Sequence, residues 1–443
     1  MPGYEEKKQR LIAQMLSESG DLRLQKQTSN LFRDRKSAAQ THLNVSDFNQ
    51  VIEVNPDDGW VEAEGMSTYQ DLVDATLPYN TMPSVVPQLK SITVGGAIAG
   101  VGIESTSFKH GLVHENILEM EVLTSDGRIV LCAPSNQHQD LFYGIPNSYG
   151  TLGYILKIKV RTIPIRRFVK LQHTLFKDPS DYFTHLERWT QKDIDFLDGT
   201  IFSPTDLYLT TGKFTDEAPY TSDYTFEHIY YRSIKARAVD YLTTHDYIWR
   251  WDTDWFWCSK NLFAQNPLMR RLYGRHRLNS VFYTKIMRWN AKWGLTRFFD
   301  RLFRIHNETV IQDVDIPIQR ATEFLNFFDR EIGIRPIWIC PFRTLHTNQQ
   351  FPLYPTKPQT LYINFGFWDV VRGKVKRPKG HYNKILEDKV EELGGIKSLY
   401  SDSYYDSDKF WALYSKEYYD NIKAKYDSNG RFKDLYQKCV LRQ

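Results

Sequence analysis

TVGGAIAGVGIES, Thr93 to Ser105, is the stretch on which the reading of this chain turns. Its four glycines stand among small apolar residues, a composition that lets a ligand or another piece of backbone come close. A nicotinamide-type Rossmann turn would need a strand before it, a crossover helix after it and an acid about 20 residues on. Pro83 and Pro87 precede the stretch instead, and the following ESTSFKHGL shows no helical periodicity. Glu119 and Glu121 stand at a tempting distance but share one face of a hairpin arm, where solvated surface explains them. A Walker loop fails because no Gly-Lys-Ser/Thr occurs. Two readings remain. The amides of the loop, with the hydroxyls of Thr93, Ser105, Thr106 and Ser107, grip a dinucleotide within a sheet-rich domain, or the glycines serve tight packing alone.

Working outward, VIEVNPDDGWVEAEG from Val51 alternates apolar and polar residues around Asn55-Pro56-Asp57-Asp58-Gly59, a hairpin signature. Tyr69, Leu72, Val73 and Leu77 keep helical spacing until Pro78 stops the run. ILEMEVLTSDGRIVLC from Ile117 predicts two arms about Ser125-Asp126-Gly127-Arg128, and TLGYILKIKVRTIPI from Thr151 a further strand. After Arg166 the segments become longer and richer in aromatics, with candidate strands in DLYLTTGKF from Asp206 and LYINFGFWDV from Leu361. The stretch from Glu387 onward reads as helical, with a cap at Asn429-Gly430. There is no internal repeat, and 443 residues exceed the roughly 250 to 300 at which single cores stop growing, so two domains are expected.

Hydrophobic residues at 41% and charged residues at 25% supply a packed core rather than a disordered chain. A net charge of +4 is too mild to argue for nucleic acid, and no reader fold is recognisable. Cys132, Cys258, Cys340 and Cys439 lie far apart without a C-x-x-C pair, so reduced thiols in a cytoplasmic setting, and no metal site, are expected. Neither a signal peptide nor 18 uninterrupted apolar residues can be found, so no membrane span is expected. One region stands out. Between Tyr247 and His306 the cations Arg270, Arg271, Arg275, Arg277, Lys285, Arg288, Lys292, Arg297, Arg301 and Arg304 are interleaved with Trp, Phe and Tyr and face almost no acids. That pattern suits peripheral contact with an anionic membrane, against the alternative of an aromatic core with a solvated basic face.

Four blocks carry a resemblance. SVVPQLKSITVGGAIAGVGIESTSFKHGLVHENI, DGRIVLCAPSNQHQDLFYGIPNSYGTLGYILKIKVRTIP, RPIWICPF from Arg335 and LYSDSYYDSDKFWALY from Leu399 together resemble the vanillyl-alcohol-oxidase type of FAD-binding proteins, and within it the delta-24 sterol reductase branch. The resemblance implies an α+β fold: an FAD-binding domain over residues 1–165, a cap domain over 166–395, and a tail, 396–443, returning to the first. It places Thr93, Val94, Gly95, Gly96, Gly100, Gly102, Ile103 and Glu104 beside FAD, with Pro87 opening the loop. It also places Ser105, Thr106, Ser107 and Gly111 near the flavin and diphosphate, and Gly150, Gly153 and Ile155 on the adenine side. The usual pyrophosphate loop is matched only by the glycine-free QTSNLFRDR from Gln27, where Arg33 or Arg35 would pair a diphosphate oxygen. That loop holds no histidine, so FAD should be bound noncovalently, and the membrane anchor of the animal members has no counterpart here.

The activity so implied is reduction of a carbon-carbon double bond in a hydrophobic lipid, with hydride from reduced FAD, a proton from a positioned acid, and NADPH as reductant. Cys340 of WICPF matches a position facing the flavin, though a lone Cys can be core filling. Asp402 and Tyr404 match the returning tail, as ring contacts or proton relay, or as plain turn residues. His110 and His114 read as structural. The substrate reading is a sterol side chain. Its alternatives are a reductase or desaturase of phospholipid acyl chains, a flavin-less lipid-binding scaffold, and an alcohol or sugar oxidase. Nothing in the sequence speaks to oligomeric state.

Overall fold

The computed structural model describes residues 3–25, 41–293, 306–345 and 350–443. QTSNLFRDR with Arg33 and Arg35, and the cations Arg297, Arg301 and Arg304, lie outside the described residues, as do the side chains of Arg288 and Lys292. The described chain is an α+β protein in which two antiparallel sheets dominate.

In chain order the strands are β1 (Leu22–Gln25), β2 (Thr41–Asn44), β3 (Val51–Asn55), β4 (Trp60–Glu64), β5 (Thr81–Pro83), β6 (Ile117–Leu123), β7 (Ile129–Cys132) and β8 (Tyr154–Pro164). They continue as β9 (Phe168–Phe176), β10 (Phe196–Ser203), β11 (Asp206–Thr215), β12 (Val239–Thr243), β13 (His306–Pro317), β14 (Ile337–Arg343), β15 (Leu361–Gly373) and β16 (Ile396–Lys397). The first sheet runs β3-β4-β8-β6-β7, with β5 joined to β8. Both hairpins read from the sequence are there, as β3-β4 and β6-β7, because Gly59 and Gly127 supply the positive φ their turns require. The helix Tyr69–Thr76 starts on a capping box in which Thr68 and Asp71 satisfy each other's backbone amides.

The second sheet runs β12-β9-β11-β10-β14-β15-β13-β16. Alternation along its strands separates two faces. One face, with Leu207, Leu209, Ile201, Ile337, Ile339, Ile363, Phe365, Phe367, Val310 and Val314, packs under the amphipathic helices Pro179–Trp189, Ile318–Glu331 and His381–Glu392. The other face turns toward the glycine-rich stretch. Trp338, Cys340, Phe342 and Tyr362 share a core there with Val94, Ala97 and Ile98.

The aromatic middle is mostly core. Trp251, Trp255, Phe256 and Trp257 are buried, and Phe256 and Trp257 pack on Trp368 of β15. The expectation that the cations there face almost no acids is corrected by the fold. Arg270 is buried in an ion pair with Asp254, 2.6 Å away; Arg275 pairs with Asp223, and Arg271 approaches Glu227 at 3.9 Å. Asp223 and Glu227 lie outside the basic run, and only the fold brings them beside it.

The tail helices Ser407–Leu413, Lys416–Tyr426 and Leu435–Cys439 lie against the first sheet's loops. Tyr418 donates to the Asp140 carbonyl, Ser125 N–H to that of Tyr426, and Lys438 Nζ to that of Tyr149.

Candidate functional site

The glycine-rich stretch is itself a helix of two turns at most, Val94–Ala99, followed by one further turn at Ser107–His110. Single turns are too short to show a 3.6-residue period, which is why ESTSFKHGL reads as non-helical. Gly95 is required by close approach: its N–H donates to Gly65 O at 3.0 Å, and a Cβ there would stand 2.8 Å from that oxygen. Of the hydroxyls expected to grip a dinucleotide, those of Ser105, Thr106 and Ser107 are engaged within the protein. Thr106 Oγ1 donates to Ser84 O, Ser107 Oγ accepts from Glu104 N–H, and Ser105 Oγ donates to Glu104 Oε1. Thr93 is the N-cap residue of the helix without a side-chain cap bond, and its Oγ1 lies beside Gly96. Gly102 N–H bonds Ala97 O, with Pro87 and Val113 packed over its Cα. Gly111, at φ 66°, has a Glu115 carboxylate where its Cβ would be.

A second loop meets this stretch. Asn147, Tyr149 and Gly150 all have positive φ, a run that costs backbone energy and is held by its bonds. Tyr149 N–H donates to Ala99 O and its hydroxyl to Gly100 O, while Asn147 Nδ2 reaches Leu353 O. Gly150 and Gly153 lead into β8, where Ile155 sits.

Opposite lies the polar face of the second sheet, and its register brings distant residues into a row. His173 pairs with Thr210, Thr210 with Asp198, Cys340 with Asn364, and Asn364 with Asp315. Since Gly199 pairs with Ile339, Asp198 and Cys340 adjoin and the row is continuous. The next row on that face is Tyr208, Thr200, Trp338, Gly366 and Asp313.

Two carboxylate clusters flank Cys340. At one end Arg250, with a side chain only 1% exposed, donates through Nη2 to Glu104 Oε1 at 2.8 Å and Asp198 Oδ2 at 2.9 Å. Trp338 Nε1 also donates to Asp198, and Ser105 shares a 3.0 Å bond with Tyr247. This end ties the glycine-rich stretch to the sheet, reinforced by the bond from Leu197 N–H to Ser105 O. Burial raises the pKa of Glu104, against the pull of Arg250. At the other end Tyr354 and Asn364 donate to the two oxygens of Asp315, whose pKa burial pushes up to about 6. Burial pushes Asp313 up to about 8, against a hydrogen bond from Tyr400. Cys340 itself is fully buried. Burial, helped by the negative charges of Glu104, Asp198 and Asp315, holds its thiol well above the ordinary range, so it stays protonated.

Asp402 and Tyr404 are not in this row. The Asp402 carbonyl accepts from Gln312 and Lys397, and its carboxylate lies 3.3 Å from Arg442. Tyr404 packs over Gly380 and takes its backbone partner from Glu387 of the helical layer. His114 is buried against Phe351, and burial lowers its pKa to about 3, leaving the ring neutral. A cavity of about 960 Å³ beside Leu77, Arg166, Lys213 and His245 contains none of the residues anticipated from the sequence. Asp198, Arg250, Asp313, Asp315 and Asn364 are the residues that sequence reasoning missed. The alternation Asp313-Val314-Asp315 and a lone Arg in WRW were the available signals.

The residues present fit FAD. Gln88 Nε2, Glu104 Oε2 and Arg250 Nε are buried without partners around the stretch from Pro87 to Ser105. Such orphaned donors and acceptors suit a ligand with a polar edge.

Comparison with known proteins agrees. Residues 1–133 match the model of the FAD binding domain. The human Delta(24)-sterol reductase is 28% identical over 416 residues, covering 90% of this chain and 78% of the human protein. The pea Delta(24)-sterol reductase is 26% identical, covering 92% of this chain and 77% of its own. A Delta(24)-sterol reductase homolog from Caenorhabditis elegans is 25% identical, covering 81% and 71%. This chain, α+β in fold and carrying the FAD binding domain, is an FAD-dependent oxidoreductase similar over some 90% of its length to the human Delta(24)-sterol reductase.

Proposed function

We propose that the protein reduces a carbon-carbon double bond in the side chain of a sterol or of a closely similar hydrophobic lipid, with NADPH as the source of electrons. The observation that carries this reading is the buried polar row between the glycine-rich stretch and the second sheet. It sets protonatable carboxyls inside an otherwise apolar, aromatic interface, which is what delivery of a proton to an alkene carbon requires. The names of the relatives support the substrate class. When bound, FAD supplies the hydride. The chain holds it along Pro87 and Thr93–Ser107, with Gly111, Gly150, Gly153 and Ile155 beyond. The Arg250 cluster fixes the sheet against this stretch, and the aromatic layer excludes water. The test is anaerobic: bleaching of the flavin by NADPH, then its reoxidation by a panel of unsaturated sterols and unsaturated acyl lipids. Reoxidation by the sterols is expected; failure of every lipid overturns the reading, and preference for acyl chains moves the substrate.

Contact with a membrane surface belongs to the same proposal. Among the described residues no helix is long and apolar enough to cross a membrane. Phe263, Leu268 and Leu272 are exposed by 73%, 68% and 67%, next to exposed Arg271, Arg275 and Arg277. Apolar side chains beside cations suit an anionic interface, where each engaged cation contributes about 1 kcal/mol. Cosedimentation with vesicles containing phosphatidylserine should fall severalfold in the Leu268→Asp, Leu272→Asp variant. No cosedimentation of the parent protein removes the idea.

A further inference from the structure

Glu104, Asp198, Asp313 and Asp315 are among the carboxyl groups that reach the polar face of the second sheet, and they differ in how they are held. Glu104 and Asp198 share the Arg250 guanidinium, whose pull on Glu104 opposes the burial that raises its pKa. Asp315 accepts from Tyr354 on one oxygen and from Asn364 on the other, so both oxygens are already bound. Asp313 is different. Tyr400 donates to it, yet its Oδ1 is shielded from solvent and has no partner in the protein. The groups that act on it are Tyr400 and the like charge of Asp315, with no cation among them. Its free oxygen lies over Gly366 beside the Trp368 indole: a Cβ there would stand 2.7 Å from Oδ1 and 2.6 Å from the indole ring, so only glycine lets the carboxyl and the ring meet at this point. Trp368 Nε1 donates to Tyr400 at 2.9 Å, which fixes the phenol. Leu399 N–H, next to Tyr400 in the chain, donates to Asn147 Oδ1, and Tyr149 of that same loop bonds Gly100 of the glycine-rich stretch. Asp313 thus stands one tyrosine away from the loop that meets the cofactor segment.

We propose that Asp313 is the catalytic acid of this enzyme and that Tyr400 is the residue that positions it. The inference rests on the double-bond reductase reading. In the step, the π bond opens: one carbon takes a hydride from reduced FAD, and its neighbour takes the Asp313 proton from Oδ1. FAD leaves oxidised, Asp313 leaves as a carboxylate, and solvent returns the proton. A proton on Oδ1 has no acceptor in the protein, so it is kept for a group that arrives. The neutral acid also suits its setting, because burial pushes the Asp313 pKa up to about 8.

The test uses the holoenzyme. Asp313→Asn should load FAD and bleach with NADPH as the parent does, while reoxidation by the lipid slows at least about 100-fold, within the range for loss of a general acid. Reoxidation within threefold of the parent overturns the proposal. Tyr400→Phe removes the donor to the carboxylate, so the alkaline limb of the reoxidation rate should move to higher pH; an unmoved limb removes the role of Tyr400. Infrared difference spectra taken across a pH titration should show a protonated carboxyl band at neutral pH that Asp313→Asn lacks. If no lipid reoxidises the parent, the substrate reading has failed, and the band still decides whether Asp313 holds a proton. A parent without the band overturns the proposal on its own.

Discussion

On one face of the eight-stranded sheet, Leu209, Ile339, Phe365 and Val314 lie in a row beneath three helices. One residue along each strand, on the opposite face, stand Thr210, Asp198, Cys340, Asn364 and Asp315. The backbones are shared and both rows are deeply buried, so the difference lies in the side chains and in what covers them. The helical side is held by apolar packing, which is indifferent to pH. The side facing the glycine-rich stretch is held by a guanidinium, tyrosines and amides that satisfy carboxyls, so its contribution depends on protonation. One sheet therefore serves as an apolar core on one side and as a buried polar face on the other.

The largest effect expected on the helical side comes from Phe365→Ala, which should cost about 4 kcal/mol by opening a cavity. Urea unfolding should return the same loss at mildly acid and mildly alkaline pH; a pH-dependent loss would break the distinction between the faces. Arg250→Met should cost about 3 kcal/mol on the polar side, because Glu104 and Asp198 lose their cation while remaining buried. Here the loss should shrink as pH falls and Glu104, raised by burial, takes up a proton, and a constant loss would contradict the electrostatic account. Asn364→Leu should cost about 1 to 2 kcal/mol, since Asp315 Oδ1 loses its donor. The parent protein should show a gentler trend. Asp315 and Asp313 are raised by burial to about 6 and about 8, above their unfolded value near 3.9. The folded state then binds more protons than the unfolded one across that window. Their contribution is fully present below about pH 4 and is lost as pH rises through 6 and then 8. Asp313→Asn should flatten the upper part of that decline in urea titrations.

The hairpins around Asn55–Gly59 and Ser125–Arg128, the strand from Tyr154 and the helix over Tyr69–Thr76 could all be read directly, because turn residues and alternation are local. The glycine-rich stretch could be set apart from Rossmann and Walker loops by its neighbours, although its own short helix could not be seen. The polar row was out of reach. Its members come from β9, β10, β11, β13, β14 and β15, and each looks ordinary in its own segment: an Asp in FLDGTIF, an Asn in YINFGF, a Cys in WICPF. Sequence patterns report which residues of one strand share a face, whereas a row across strands depends on pairing partners and register set by contacts between residues far apart in the chain.

The α+β class and the glycine-rich stretch were legible in the sequence, the stretch because close backbone approach restricts the residue type locally; the expectation of FAD came from the resemblance of four separate blocks. The tertiary structure alone decided which carboxyls gather, which of them receives a cation, and which keeps a free oxygen. Burial, like-charge proximity and hydrogen-bond supply are properties of neighbours in space, and the chain acquires those neighbours only when its two sheets close on one another.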